Sequence, residues 1–101
     1  MIPYSRQTID KKDLDNVKKV LLSDFLTQGP EVKKFEKDVK NYLKVKYALA
    51  LNSATSALHV ACLALKLKKG DWLWTVPNTF TASANCGRFC GANVDFVDIN
   101  N

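Results

Sequence analysis

Apolar residues change their spacing along this chain, and each change marks a different kind of element. From Lys11 to Ser23 they fall at Leu14, Val17, Val20 and Leu21, with Lys, Asp and Asn between them. That is the stripe of an amphipathic helix. Asp10 is placed to cap it, with Asp13 three residues on. The segment Phe25-Leu26-Thr27-Gln28-Gly29-Pro30 then breaks the pattern near Asp24. Gly-Pro is strong punctuation, and Pro30 suits the first turn of a second helix, where its missing N–H costs nothing. Val32, Phe35, Val39, Tyr42 and Leu43 recur at spacings of three and four and predict that helix over Pro30–Lys44.

After Lys46 the period shortens. Tyr47–Leu51 is an apolar run that fits a strand buried on both faces. Thr55–Leu67 is apolar almost all round, which predicts a largely buried helix closing at Lys68-Lys69-Gly70, with a glycine just past its end. Trp72–Val76 reads as a second strand, Pro77-Asn78-Thr79 as a turn, Phe80 to about Phe89 as a further buried helix, and Val94–Asp98 as a third strand. Two helices followed by β-α-β-α-β make an α/β chain with right-handed crossovers in a parallel sheet. Ligands of such sheets bind outside the carboxyl ends of the strands. The loops expected there are Asn52-Ser53-Ala54-Thr55-Ser56 and Pro77-Asn78-Thr79-Phe80.

The first of these loops poses a chemical choice. A helix N-terminus leaves its first N–H groups without partners and carries about half a positive charge, so a phosphate is stabilised there without a lysine. Ala54, Thr55 and Ser56 are small enough to let a ligand reach the backbone. The plainer reading is that Ser53 caps the helix and nothing binds. Phe80, likewise, is either a ligand contact or core packing. No nucleophile lies beside a base, no carboxylates pair, and neither a G-x-G-x-x-G nor a Walker motif is present.

Composition narrows the classes. At 101 residues this is at most one small domain, and 47% hydrophobic with 25% charged residues argues against disorder. The net charge of +5 is interleaved with acids on helix faces, which fits solvated surfaces and not a nucleic-acid interface. Cys86 with Cys90, and His59 with Cys62, lie at helical spacing, so a Cys/His metal site is conceivable. Their apolar surroundings favour reduced, packed thiols instead, a packed His59, no metal, and a cytoplasmic compartment. No apolar run is long enough to span a membrane.

With these elements in place, a resemblance becomes specific. Leu26–Glu36 (LTQGPEVKKFE), Ala48–Leu58 (ALALNSATSAL), Gly70–Asn85 (GDWLWTVPNTFTASAN) and Gly91–Ile99 (GANVDFVDI) resemble the start of the DegT/DnrJ/EryC1/StrS family. These are pyridoxal-phosphate-dependent aminotransferases of nucleotide-linked keto-sugars. I-P-Y-S-R-Q and N-S-A-T-S-A are most similar to the branch that serves pseudaminic acid biosynthesis.

The resemblance implies the N-terminal part of an aspartate-aminotransferase-like large domain, the fold type I of pyridoxal-phosphate enzymes. It divides the chain into a helical segment, 1–46, and the start of the cofactor-binding α/β domain, 47–101. It implies that Ala54, Thr55 and Ser56 hold the cofactor phosphate and that Phe80 stacks on the pyridine ring. Tyr4, Phe25, Leu26, Thr27 and Ala54 would contribute to the sugar-nucleotide site. The implied reaction moves an amino group, typically from glutamate, to C4 of a UDP-linked 4-keto-6-deoxy sugar in a homodimer, with no nucleic acid or membrane involved.

The chain also departs from the family pattern. Ala54 stands where Gly is common, and Trp72 stands where an acid is usual. The family's Schiff-base lysine and the acid that pairs with the pyridine nitrogen are expected beyond Asn101, so no catalytic residue is nominated here. By itself this stretch is then expected to be an inactive N-terminal fragment, and Tyr47–Leu51 is expected to lack the later strand it pairs with. The alternative is a non-catalytic α/β module that binds a phosphate-bearing ligand.

Overall fold

The computed structural model describes residue 3 and residues 5–100. It divides into two compact units, Met1–Ala50 and Leu51–Asn101.

The first unit holds helices α1 (Lys11–Leu21) and α2 (Pro30–Leu43). Asp10 starts α1 through a complete capping box. Its carboxylate accepts the Asp13 N–H at 3.0 Å, and the Asp13 carboxylate accepts the Asp10 N–H at 3.0 Å. Two otherwise orphaned donors are thereby satisfied. Gly29 caps α2 without a side chain, and Pro30 occupies its first turn as expected. A methyl group at Gly29 would meet Phe25 Cβ at 3.0 Å and Phe25 O at 3.2 Å, so the absent side chain lets the connecting loop fold tightly against the helix start. Lys44, left-handed at φ 54°, ends α2.

Tyr47–Leu51 forms no strand, which corrects the sequence expectation. A strand is a paired object, and no described segment lies alongside to complete a ladder. The Ala50 N–H instead donates to Glu36 Oε1 on α2 at 2.9 Å.

The second unit contains α3 (Ala54–Ala64), β1 (Trp72–Thr75), α4 (Ala82–Phe89) and β2 (Asn93–Phe96). β1 and β2 are parallel, with Trp72 opposite Asn93 and Thr75 opposite Phe96. Both strands are shorter than the hydropathy pattern suggested. α4 packs on both strands and on α3. The approach is close at Gly87, where a Cβ would sit 3.0 Å from Leu73 Cβ and 3.2 Å from Val94 Cγ2. Leu73 and Val94 are half-buried beneath it, while Trp72 and Trp74 are exposed with ring centroids 6.4 Å apart.

α3 differs from expectation twice. It ends before Lys66, whose left-handed φ of 60° turns the chain, so Gly70 at φ 96° belongs to the following turn and not to the helix cap. It is also not largely buried, because only Cys62 of its residues is. The buried core among the described residues consists of Cys62, Ala82, Cys86 and Ala92. Apolar periodicity marks which face of a helix avoids water, but burial requires a second surface against it.

Candidate phosphate-binding site

The turn that opens α3 is built by its own residues. Ser53 is extended at φ −158°, ψ 157°, and its Oγ accepts the Ser56 N–H at 3.1 Å while donating to Ser56 Oγ at 3.1 Å. Ala57 N–H closes on Ser53 O at 3.0 Å. The first two helical residues, Ala54 and Thr55, donate no backbone hydrogen bond among the described residues. Two uncommitted N–H groups therefore stand at the positive end of an eleven-residue helix. Ala54 is exposed, and Thr55 and Ser56 are half-buried. The Ser53 cap uses the third donor and leaves the first two without a partner among the described residues.

Phe80 does not begin α4, contrary to the sequence expectation. It lies in the loop after β1, with its carbonyl accepting the Ser83 N–H at 3.0 Å, and helical residues start at Ala82. The ring is 74% exposed, so it is not core packing. The loop behind it is fixed by Thr79 Oγ1 and Ser83 Oγ, 2.8 Å apart.

The residues assigned to the sugar nucleotide are distributed differently. Phe25 and Leu26 line a cavity of about 270 Å³ in the first unit, together with Lys19, Val20, Gly29 and Val32. Thr27 is exposed and outside that lining. Tyr4 lies outside the described residues. The sequence reading missed Glu36. Its 14-residue separation from Ala50 leaves no periodic signal, and an acid on an amphipathic helix reads as solvated.

The three cysteines are free. Burial, reinforced by the neighbouring Cys86 and Cys90 thiols, pushes Cys62 from 9.0 up to about 11, which keeps it protonated and unreactive near neutral pH. Cys86 Sγ donates to Ser83 O at 3.3 Å. His59 packs edge-on against Phe89, with ring centroids 5.3 Å apart. Among the described residues no group of three or more His, Cys, Asp or Glu is arranged to hold a metal ion. No helix among the described residues is long and apolar enough to cross a membrane.

Comparison with known proteins places the chain at the level of family. Residues 7–101 match the model of the DegT/DnrJ/EryC1/StrS aminotransferase family. The chain belongs to that family. It is 48% identical over all 101 residues to the UDP-4-amino-4,6-dideoxy-N-acetyl-beta-L-altrosamine transaminase of Campylobacter jejuni, and covers 27% of that protein. Among solved structures it is similar to Helicobacter pylori PseC, an aminotransferase involved in pseudaminic acid biosynthesis. There the TM-score is 0.90 at 37% identity, covering 97% of this chain and 27% of the other. The PLP form of Spr1654 from Streptococcus pneumoniae, a candidate sugar aminotransferase, gives a TM-score of 0.90 at 32% identity, covering 98% of this chain and 25% of that one. The chain thus spans about a quarter of the length of the relatives it matches. Its fold is that of the N-terminal quarter of pyridoxal-phosphate aminotransferases.

Proposed function

We propose that this chain provides the cofactor-phosphate cradle and part of the sugar-nucleotide site of an aminotransferase that acts on C4 of a UDP-linked 4-keto-6-deoxy sugar, with glutamate as amino donor. The observation that carries this reading is the turn at Ser53–Ser56, where a DegT-family chain presents two uncommitted N–H groups on small residues at a helix N-terminus. Such a turn fits a phosphate ester, because the donors are in place and no bulky side chain covers them.

Ala54 and Thr55 donate N–H groups to phosphate oxygens, and the hydroxyls of Thr55 and Ser56 add further donors. Phe80, exposed in the loop after β1, offers its face to the pyridine ring. When bound, pyridoxal phosphate supplies the electron sink that amino transfer requires. Phe25 and Leu26, with Tyr4 and Thr27, serve the sugar nucleotide. The working enzyme is a cytoplasmic homodimer in this reading, with residues 1–46 as a helical segment ahead of the cofactor domain.

The test uses pyridoxamine phosphate, because an aldehyde would label surface lysines indiscriminately. In equilibrium dialysis against the chain, pyridoxamine phosphate is expected to be retained more than pyridoxamine by at least tenfold, the contribution of about 1.5 kcal/mol from one charge-assisted contact. Equal retention of the two compounds contradicts the phosphate role. Retention of inorganic phosphate as strong as that of the cofactor favours a non-catalytic phosphate-binding module.

A further inference from the structure

Phe80 is held from both sides by residues of its own unit. Before it, the Thr79 N–H donates to Pro77 O at 3.0 Å; after it, the Ser83 N–H donates to the Phe80 carbonyl at 3.0 Å. A further bond closes the same loop. The Thr79 and Ser83 hydroxyls, four residues apart, share a hydrogen bond at 2.8 Å that brackets Phe80. Ser83 is a firm anchor, because it belongs to α4 and its carbonyl accepts the Sγ of Cys86, a residue of the buried core. The Phe80 side chain has no such support. It is 74% exposed, so packing does little to set its direction, which is left to the backbone.

We infer that Thr79 is a positioning residue for Phe80: its hydroxyl ties the loop to Ser83 and so fixes the backbone from which the aromatic side chain meets the cofactor. The inference rests on the reading of Phe80 as the residue that faces the pyridine ring. Thr79 acts through its neighbour and not on the ligand. The hydroxyl bond closes a short loop of chain around Phe80 and removes conformations in which the aromatic side chain swings clear of the ligand. Without that bond, those conformations are frozen out only when the ligand binds, which lowers affinity.

The test is binding calorimetry with pyridoxamine phosphate on the wild-type chain, Thr79→Val, Thr79→Ser, Phe80→Ala and the double variant Thr79→Val/Phe80→Ala. Valine keeps the branched shape and deletes the hydroxyl, whereas serine keeps the hydroxyl and serves as the conservative rescue. Affinity is expected to fall about threefold to fivefold in T79V, the size of one neutral hydrogen bond, and to stay near wild type in T79S. Phe80→Ala is expected to weaken binding as well, and adding T79V to it is expected to change nothing further. Wild-type affinity in T79V, an equal loss in T79S, or a T79V loss that persists undiminished in the Phe80→Ala chain overturns the positioning role alone. A Phe80→Ala chain that binds as tightly as wild type, or a wild-type chain that does not bind, overturns the cofactor reading of the site, and this inference with it.

Discussion

Gly87→Val separates α4 from the sheet and is expected to destabilise the second unit by about 3 kcal/mol, at the upper end of the range for inserting bulk into a packed contact. The cause is geometric. The first added carbon would already lie 3.0 Å from Leu73 Cβ and 3.2 Å from both Leu73 Cδ1 and Val94 Cγ2. Those residues belong to β1 and β2, so one substitution wedges the helix off both strands at once. Two more methyl-sized groups on a β-branched side chain cannot rotate away from a contact made by the Cβ itself. Gly87→Ala is expected to cost less, because alanine's gain in helix propensity of about 1 kcal/mol offsets part of the overpacking. Trp72 and Trp74 lie together on β1, so the near-ultraviolet circular dichroism of the pair reports this unit during urea unfolding. A Gly87→Val chain with an unchanged midpoint would show that the α4–sheet contact is looser than described.

The second large effect is chemical. Ala54→Pro deletes one of the two uncommitted N–H groups while leaving the helix intact. Proline is favoured at the first helical position, where no intrahelical hydrogen bond is lost. It also requires an extended residue before it, and Ser53 is extended at φ −158°, ψ 157°. The variant is therefore expected to keep its helical signal and its Ser53–Ser56 cap. Its affinity for pyridoxamine phosphate is expected to fall at least tenfold, the loss of about 1.5–3 kcal/mol that accompanies a hydrogen bond to a charged group. Binding calorimetry measures the loss, and far-ultraviolet circular dichroism supplies the control. Full affinity in a folded Ala54→Pro chain would remove the Ala54 N–H from the site. Thr55→Pro is a less clean probe, because it forces Ala54 away from its helical conformation as well.

What the sequence revealed here was local. The Asp10–Asp13 capping box, Pro30 at the start of α2 and the Ser53 cap each depend on residues within one turn of one another, and each was readable from spacing. The turn that opens α3 was readable for the same reason. Features that need a distant partner were not. Tyr47–Leu51 has the composition of a strand, and the resemblance already implied that its partner strand is missing from this stretch. The Glu36 contact that holds the unpaired segment left no signal. The stripe of Val32, Phe35, Tyr42 and Leu43 shows α2's apolar face correctly, yet those side chains are exposed. A pattern in one helix does not say what covers it. The end of α3 was misplaced because Lys66 accepts a left-handed conformation that the sequence reading had reserved for Gly70. The Glu36 carboxylate was overlooked because its partner is a backbone N–H, which every residue but proline carries.

The most direct test of the site is an amide shift map of the ¹⁵N-labelled chain titrated with pyridoxamine phosphate. If Ala54–Ser56 cradles the phosphate and Phe80 faces the ring, the largest shifts fall on Ala54, Thr55, Ser56 and Phe80 and saturate at one common affinity. Shifts centred on Arg88 and Asn93, or scattered over the surface lysines without saturation, would contradict it.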